Sequence, residues 1–185
     1  MKNVLVKEHI MHNQVILNMM DRRSVREYKP DMPAQELIDE VMLAGTYAAT
    51  GSGKQSPIII EVKNKEVRDE LMRMNADIMG KPGTDPFYGA PVVLIVLADK
   101  ERSTRVCDGS LVMGNLMNAA HSLGLSSCWI HRAKEEFETP YGKQLLEKLG
   151  ITGEYEGIGH CILGYAAHEL PEPAARKENY IYHID

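Results

Sequence analysis

The sequence predicts one α/β domain around a mixed sheet. Three observations carry that reading. Helix-periodic and strand-like segments alternate along the chain. The run Val92 to Leu97 is continuously aliphatic, the mark of a strand buried on both faces. And 185 residues at 44% hydrophobic content suffice for one core, since a domain of this size buries roughly 70% of the surface of its unfolded chain.

Each element has its own signal. A short apolar helix is expected over Val15 to Met20. Asp31 and Pro33 open a second helix, with Leu37, Ile38, Val41, Met42 and Leu43 as its apolar face. Ile58 to Val62 reads as a strand, and residues 65–79 as a helix with Val67, Leu71, Met74 and Ile78 at helical spacing. The Gly- and Pro-dense segment 80–91 is a loop. A long helix covers about 104–122, with Gly124 just past its end. Its methionines, Met113 and Met117, read first as gap-filling core residues. The small Gly114, Ala119 and Ala120 beside them make it the candidate central helix and a subunit contact. A short strand at Leu125 to Ile130, a helix over 134–149 and a last strand at Ile158 to Tyr165 complete the set. A Pro-rich tail carries Arg176 and Lys177.

Composition narrows the function classes. Net charge is −5, from 26 acidic and 21 basic residues, and the basic ones are scattered, so no nucleic-acid partner is expected. Cys107, Cys128 and Cys161 lie far apart without a C-x-x-C pair, which points to a reduced compartment. The stretch MKNVLVKEHIMHNQVIL is interrupted by Lys7, Glu8, His9 and His12, so it lacks the apolar core of a signal peptide. No window reaches membrane-span length. A cytoplasmic protein is expected.

Two motifs are weaker than they look. Gly51-Ser52-Gly53-Lys54 invites a P-loop assignment. Yet Ala48 holds the first glycine position, Gln55 follows the lysine, and the loop follows a helix and precedes a strand. What survives is a loop whose N–H groups and one lysine can meet an anion or a polar ring edge. No metal is expected: His160 and Cys161 are adjacent in a strand and point to opposite faces. The informative segment is Arg22-Arg23-Ser24-Val25-Arg26. Three guanidinium forks and a hydroxyl within five residues suit phosphate oxygens, although the same segment alone also fits a solvated basic turn.

The combination is more specific than its parts. RRSVR (22–26), AATGSGKQSP (48–57), DGSLVMGNLMNAAHSLGL (108–125), SSCWI (126–130) and ARKENY (175–180) stand in one order. Together they resemble the FMN-dependent nitroreductase family from about residue 15 onward, leaving residues 1–12 as an N-terminal extension. The resemblance implies a three-layer α/β/α, α+β fold with a largely antiparallel central sheet, a single FMN-binding domain over 1–185, and a homodimer with FMN at its interface. It implies that Arg22 and Ser24 hold the phosphate with Arg176 and Lys177, that Arg23 follows the ribityl chain or ring edge, and that Arg26 approaches the pyrimidine edge. A fixed cation there stabilises the reduced, anionic flavin. Trp129, Ile130 and His131 would line one ring face, with the His131 backbone N–H near N5. Thr50, Gly51, Lys54 and Ser56 would reach the partner's flavin. Lys54 stands where the family has Asn, Ser56 where it has Gln, and Thr50-Gly51 where it has Pro-Ser.

The implied activity is NAD(P)H-dependent reduction of nitroaromatics, quinones or similar electron-poor acceptors by ping-pong hydride transfer, with no catalytic acid, base or nucleophile from the protein. Two other readings share the fold: a non-catalytic flavin store or sensor, and a specialised reaction such as dehalogenation.

Overall fold

The structure, a computed structural model, describes residues 13–185, so the expectations for residues 1–12 lie outside the described residues. Strands β1 (Pro57–Val62), β2 (Val92–Asp99), β3 (Ser126–Ile130) and β4 (Tyr155–Gly164) pair antiparallel in the order β1-β2-β4-β3. A parallel bridge from Ser24 to Ser127 adds the mixed component at the free edge of β3. The helices among the described residues are α1 (Gln14–Asp21), α2 (Gln35–Thr46), α3 (Lys65–Ile78), α4 (Arg105–Ser122), α5 (Ala133–Glu138) and α6 (Pro140–Lys148). None of them is long and apolar enough to cross a membrane.

The three layers follow from the pleat. Side chains alternate across a strand, so β2 divides its aliphatic run between two cores. Val92, Leu94 and Val96 meet Ile38, Val41, Met113 and Leu116 from α2 and α4. Val93, Ile95 and Leu97 face the opposite cluster, with Leu71 of α3, Phe137 of α5 and Leu146 of α6. The β2 residues from Val92 to Ala98 are fully buried, as the unbroken apolar run required. β4 repeats the division: Cys161 and Leu163 join the α2/α4 side and Ile162 the other.

Some expected boundaries and faces move. α2 starts at Gln35 and not at Pro33, capped by no side chain. Leu43, expected on an apolar face, is 52% exposed, and Leu111 of α4 is 50% exposed, because each falls on the outer side of its helix. The single helix expected over 134–149 is two. Thr139 ends α5 by donating to the Glu136 carbonyl at 2.6 Å, then caps α6 by accepting from the Gly142 N–H at 3.2 Å. Pro140, which has no N–H to give, opens α6.

Truncating Leu94, buried between β2 and the α2/α4 layer, to Ala is expected to cost about 2–5 kcal/mol of stability. Leu149→Ala, 52% exposed just past α6, is expected to change it by less than about 0.5 kcal/mol. Urea unfolding monitored by circular dichroism measures both; equal losses would overturn this division of the core.

Candidate functional site

The arginine segment is placed by the edge of the sheet. α1 closes at Arg22, and the chain then runs extended beside β3, whose outer hydrogen-bonding groups would otherwise be unpaired. The Val25 N–H donates to the Ser127 carbonyl at 3.1 Å. Further on, Lys29 N–H donates to Tyr165 at 2.9 Å, and Ala167 N–H returns to Glu27 at 3.0 Å. Val25 and Tyr28 turn inward as buried anchors. Extended backbone alternates its sides, so Arg22, Ser24 and Arg26 fall opposite Val25.

Arg22 is the unusual member of this group. Its Nη1 is buried with no hydrogen-bond partner among the described residues. A buried cationic donor without an acceptor is costly, and an anion is the natural remedy. The same positive field acts on the thiols beneath. Burial raises the Cys128 thiol, while Arg26, a hydrogen bond from Ser24 and Arg22 oppose the rise. Cys161 is pushed up to about 12, chiefly by burial, and is a small core residue on the opposite face from His160. His121 is lowered first by burial, with Arg22 and Arg23 acting in the same direction.

Arg23 has a different task from the one expected. Its guanidinium donates to the carbonyls of Met20 at 2.7 Å, Arg22 at 2.8 Å and Pro171 at 3.1 Å. It therefore ties the tail to the end of α1 and does not turn to a ring edge. Arg176 is exposed and donates to Ala174 of its own tail, and Lys177 Nζ lies 5.1 Å from the Tyr180 ring centroid. Arg26 is exposed, with only a 3.5 Å contact to the Ser24 carbonyl.

The end of β3 corrects a second expectation. Trp129 and Ile130 are neighbours in a strand and so project to opposite faces. Ile130 is buried in the α3/α5/α6 cluster and offers no side chain to a ring face. Trp129 lies over Gly159, where a Cβ would come within 2.3 Å of Nε1, and its ring centroid is 5.9 Å from that of the exposed His131. Trp129 and His131 remain together; Ile130 does not join them.

The 50–56 loop is organised by a residue the sequence did not single out. Asp108, in the first turn of α4, is buried; its Oδ1 accepts from the Gly51 N–H at 2.9 Å. Its Oδ2 accepts from the hydroxyls of Thr104 at 2.9 Å and Ser56 at 3.0 Å. Ser56 is only 6% exposed, and its hydroxyl faces inward to Asp108. Gly51 is required by this packing, since a Cβ there would meet Thr104 Oγ1 at 2.4 Å. Thr50 Oγ1 accepts from the Gln55 N–H at 3.0 Å, and Lys54 stands out into solvent. The loop also borders a groove of about 430 Å³ lined by Met42, Gly45, Thr50, Gln55, Ile58 and Val112 among others. Neither Arg22, Ser24, Trp129 nor His131 lines that groove.

These features define a class: an α+β protein with an arginine-rich segment paired to the edge strand that ends in Trp129 and Ile130. The sequence pattern of the nitroreductase family matches residues 19–165, and the chain belongs to that family of oxidoreductases. It is 27% identical to an FMN reductase [NAD(P)H] of Bacillus subtilis over 198 aligned positions, covering 91% of this chain and 75% of that one. Among solved structures, a nitroreductase with bound FMN from Bacteroides fragilis superposes with a TM-score of 0.84 at 25% identity, covering 94% of this chain and 100% of that one. A second FMN-bound nitroreductase, from Desulfitobacterium hafniense, gives 0.83 at 25% identity, covering 95% and 100%.

Burial opposes ionisation of Asp108, but the Gly51 N–H and the hydroxyls of Thr104 and Ser56 outweigh it and hold the carboxyl below its ordinary value. A folded-state value below the unfolded one stabilises the fold above the unfolded value, and that contribution is lost as pH falls through the folded one. Asp108→Asn is therefore expected to cost about 1–3 kcal/mol at neutral pH. The gap from the parent should close as pH falls below about 4, the ordinary Asp range. Denaturation midpoints from neutral to acid pH measure this; a gap independent of pH would refute the role of the charge.

Proposed function

We propose that this chain binds FMN at the Arg22–Ser24 edge and uses it as an NAD(P)H-dependent oxidoreductase for nitroaromatics, quinones or similar electron-poor acceptors. The observation that carries the reading is the buried, unpartnered Nη1 of Arg22, on the same extended segment as Ser24, donor types that suit a phosphate monoester. There is no G-x-G-x-x-G fingerprint for a dinucleotide pyrophosphate. Bound FMN would take two electrons from NADH or NADPH and pass them to an acceptor that occupies the same place in turn.

The protein's part is binding and electrostatics. Arg22 and Ser24 hold the phosphate, and Arg176 and Lys177 join them when the tail Arg23 tethers folds over it. Arg26 supplies positive charge at the pyrimidine edge. Trp129 and His131 border the ring, with backbone N–H groups at the strand end as donors. Thr50, Gly51 and Lys54 act on the partner's flavin, and Ser56 serves them by fixing the loop through Asp108. The three free thiols fit a cytoplasmic setting.

Anaerobic addition of NADH or NADPH to the purified, flavin-loaded protein is expected to bleach the flavin absorbance, and an acceptor should restore it. Persistent colour with both nucleotides would favour a flavin store. Arg22→Ala should weaken FMN binding by about 2–5 kcal/mol, the range for truncating one partner of a desolvated charge pair. Isothermal titration measures it, with the exposed Lys134→Ala as the control expected to bind normally.

A homodimer belongs to the same proposal. The groove beside the 50–56 loop is not lined by Arg22 or Ser24, and Val15, Met19, Met20, Leu43, Tyr47 and Leu111 leave apolar surface on the outer helices. A two-fold contact is isologous and gives two equivalent sites. FMN binding and dimerisation should then be linked, with about 2.7 kcal/mol of added dimer stability per site at a hundredfold excess over its dissociation constant. Sedimentation velocity across a dilution series should show apo-protein dissociating at higher concentration than holo-protein. A monomer that keeps its flavin would refute the shared site.

A further inference from the structure

The turn after β3 is gripped from behind by a buried polar chain with no part in holding phosphate. Asn75 of α3, Glu136 of α5 and His160 of β4 are each fully buried. Asn75 Nδ2 donates to the His131 carbonyl at 2.9 Å and also to Glu136 Oε1. Asn75 Oδ1 accepts from Arg132 Nε at 2.8 Å. The other Glu136 oxygen, Oε2, lies 2.8 Å from His160 Nε2 as a close contact without hydrogen-bond geometry, and the His160 ring stands edge-on to Phe87 at 5.3 Å.

Stability is a poor reason for this arrangement. A buried carboxylate–imidazole pair roughly offsets its own desolvation cost, and apolar residues of similar volume often do as well or better. What the chain does achieve is directional. A peptide unit is planar and trans, so its C=O and N–H point opposite ways. Holding the His131 carbonyl against Asn75 turns the Arg132 N–H away from the buried network. The same grip holds Arg132 at φ 80°, a left-handed conformation costly for any residue with a Cβ, so the turn would relax if released. Tethering the Arg132 side chain to Asn75 closes the clamp from the other side.

We infer that Asn75, Glu136 and His160 are positioning residues that fix the 131–132 peptide, and hence present the Arg132 N–H, one residue beyond the His131 N–H that the family resemblance implies, to the reducible ring. The inference rests on the FMN reading above. A preoriented donor is effective because it needs no reorganisation as charge shifts on the ligand. Facing N5, it favours the oxidised ring, whose N5 accepts a hydrogen bond, over the reduced ring, whose N5 carries hydrogen. Loosening the clamp should therefore raise the midpoint potential while leaving phosphate binding almost intact.

The test compares parent, Asn75→Ala and Arg132→Gly holo-proteins by dye-equilibrated reductive titration, with oxidised-FMN affinity measured alongside. For Asn75→Ala the expected result is an oxidised-FMN affinity within about threefold of the parent. Reduced FMN should be favoured about tenfold more than in the parent, which is about 30 mV for a two-electron couple. Arg132→Gly covers a failure of Asn75→Ala to fold, because glycine adopts positive φ freely and only the tether is lost. It should show a smaller shift of the same sign. Folded variants with an unchanged potential would overturn the inference, as would parallel losses of oxidised and reduced FMN. The Arg132 amide resonance of flavin-free protein supplies a readout independent of the ligand. It should be single in the parent and displaced or split in Asn75→Ala; an unmoved resonance there would also overturn the inference. If the parent takes up no FMN, the cofactor reading falls, and that resonance still decides whether the clamp exists.

Discussion

The burial of β2 and β4 on both faces governs the rest of the molecule. A strand covered on one side could alternate apolar and polar residues. The inner strands here cannot, so Val92 to Leu97 supply apolar side chains in both directions and require a helical layer on each. α2 and α4 fill one layer and α3, α5 and α6 the other. Two strands remain at the edges, and the edge beside β3 is where the chain departs from pure packing. Residues 22–29 cover part of that edge, with the Val25 N–H donating to the Ser127 carbonyl of β3. The same pairing sets the even-numbered polar residues of RRSVR on one side.

The candidate site thus inherits its rigidity from the core and its chemistry from the edge. Arg22 remains unpartnered because the surrounding chain offers it no acceptor among the described residues, a local expense consistent with an anionic ligand. Arg23, one residue away, is satisfied three times over by carbonyls. Adjacent residues of one type therefore differ completely in role, because an extended backbone turns them to different sides.

Two buried acids set the remaining geometry. Asp108 gathers one N–H and two hydroxyls and so converts a glycine-rich loop, intrinsically floppy, into a defined shape at the mouth of α4. Glu136 sits in the opposite layer and, through Asn75, holds the turn after β3. Asp108 is a buried carboxyl met by three directed donors, and Glu136 a buried carboxyl that accepts from Asn75. Such groups specify geometry more than they add stability. The two faces of the sheet consequently each carry one polar anchor within an otherwise apolar layer.

Much of this was legible in the residues. The aliphatic run of β2, the helical spacing in α3 and α4, the RRSVR cluster and the opposed faces of His160 and Cys161 are local patterns, and periodicity alone decides them. The family resemblance added the antiparallel, three-layer arrangement, which the order β1-β2-β4-β3 displays. The split of 134–149 was also written locally, in Thr139-Pro140, but the apolar spacing across it masked the break. Other features had no local signal. Which arginine is left bare, that Ser56 turns inward, that Ile130 parts from Trp129 and His131, and that Asn75, Asp108, Glu136 and His160 are buried anchors all depend on partners far away in sequence or on the hand of the pleat. The sequence by itself determined which segments bury and which chemistry the chain carries, because hydrophobic period and residue type are properties of short stretches. Only the tertiary structure decided which polar groups find partners, because a hydrogen bond or an unsatisfied donor exists only once distant segments are brought to within about 3 Å of one another.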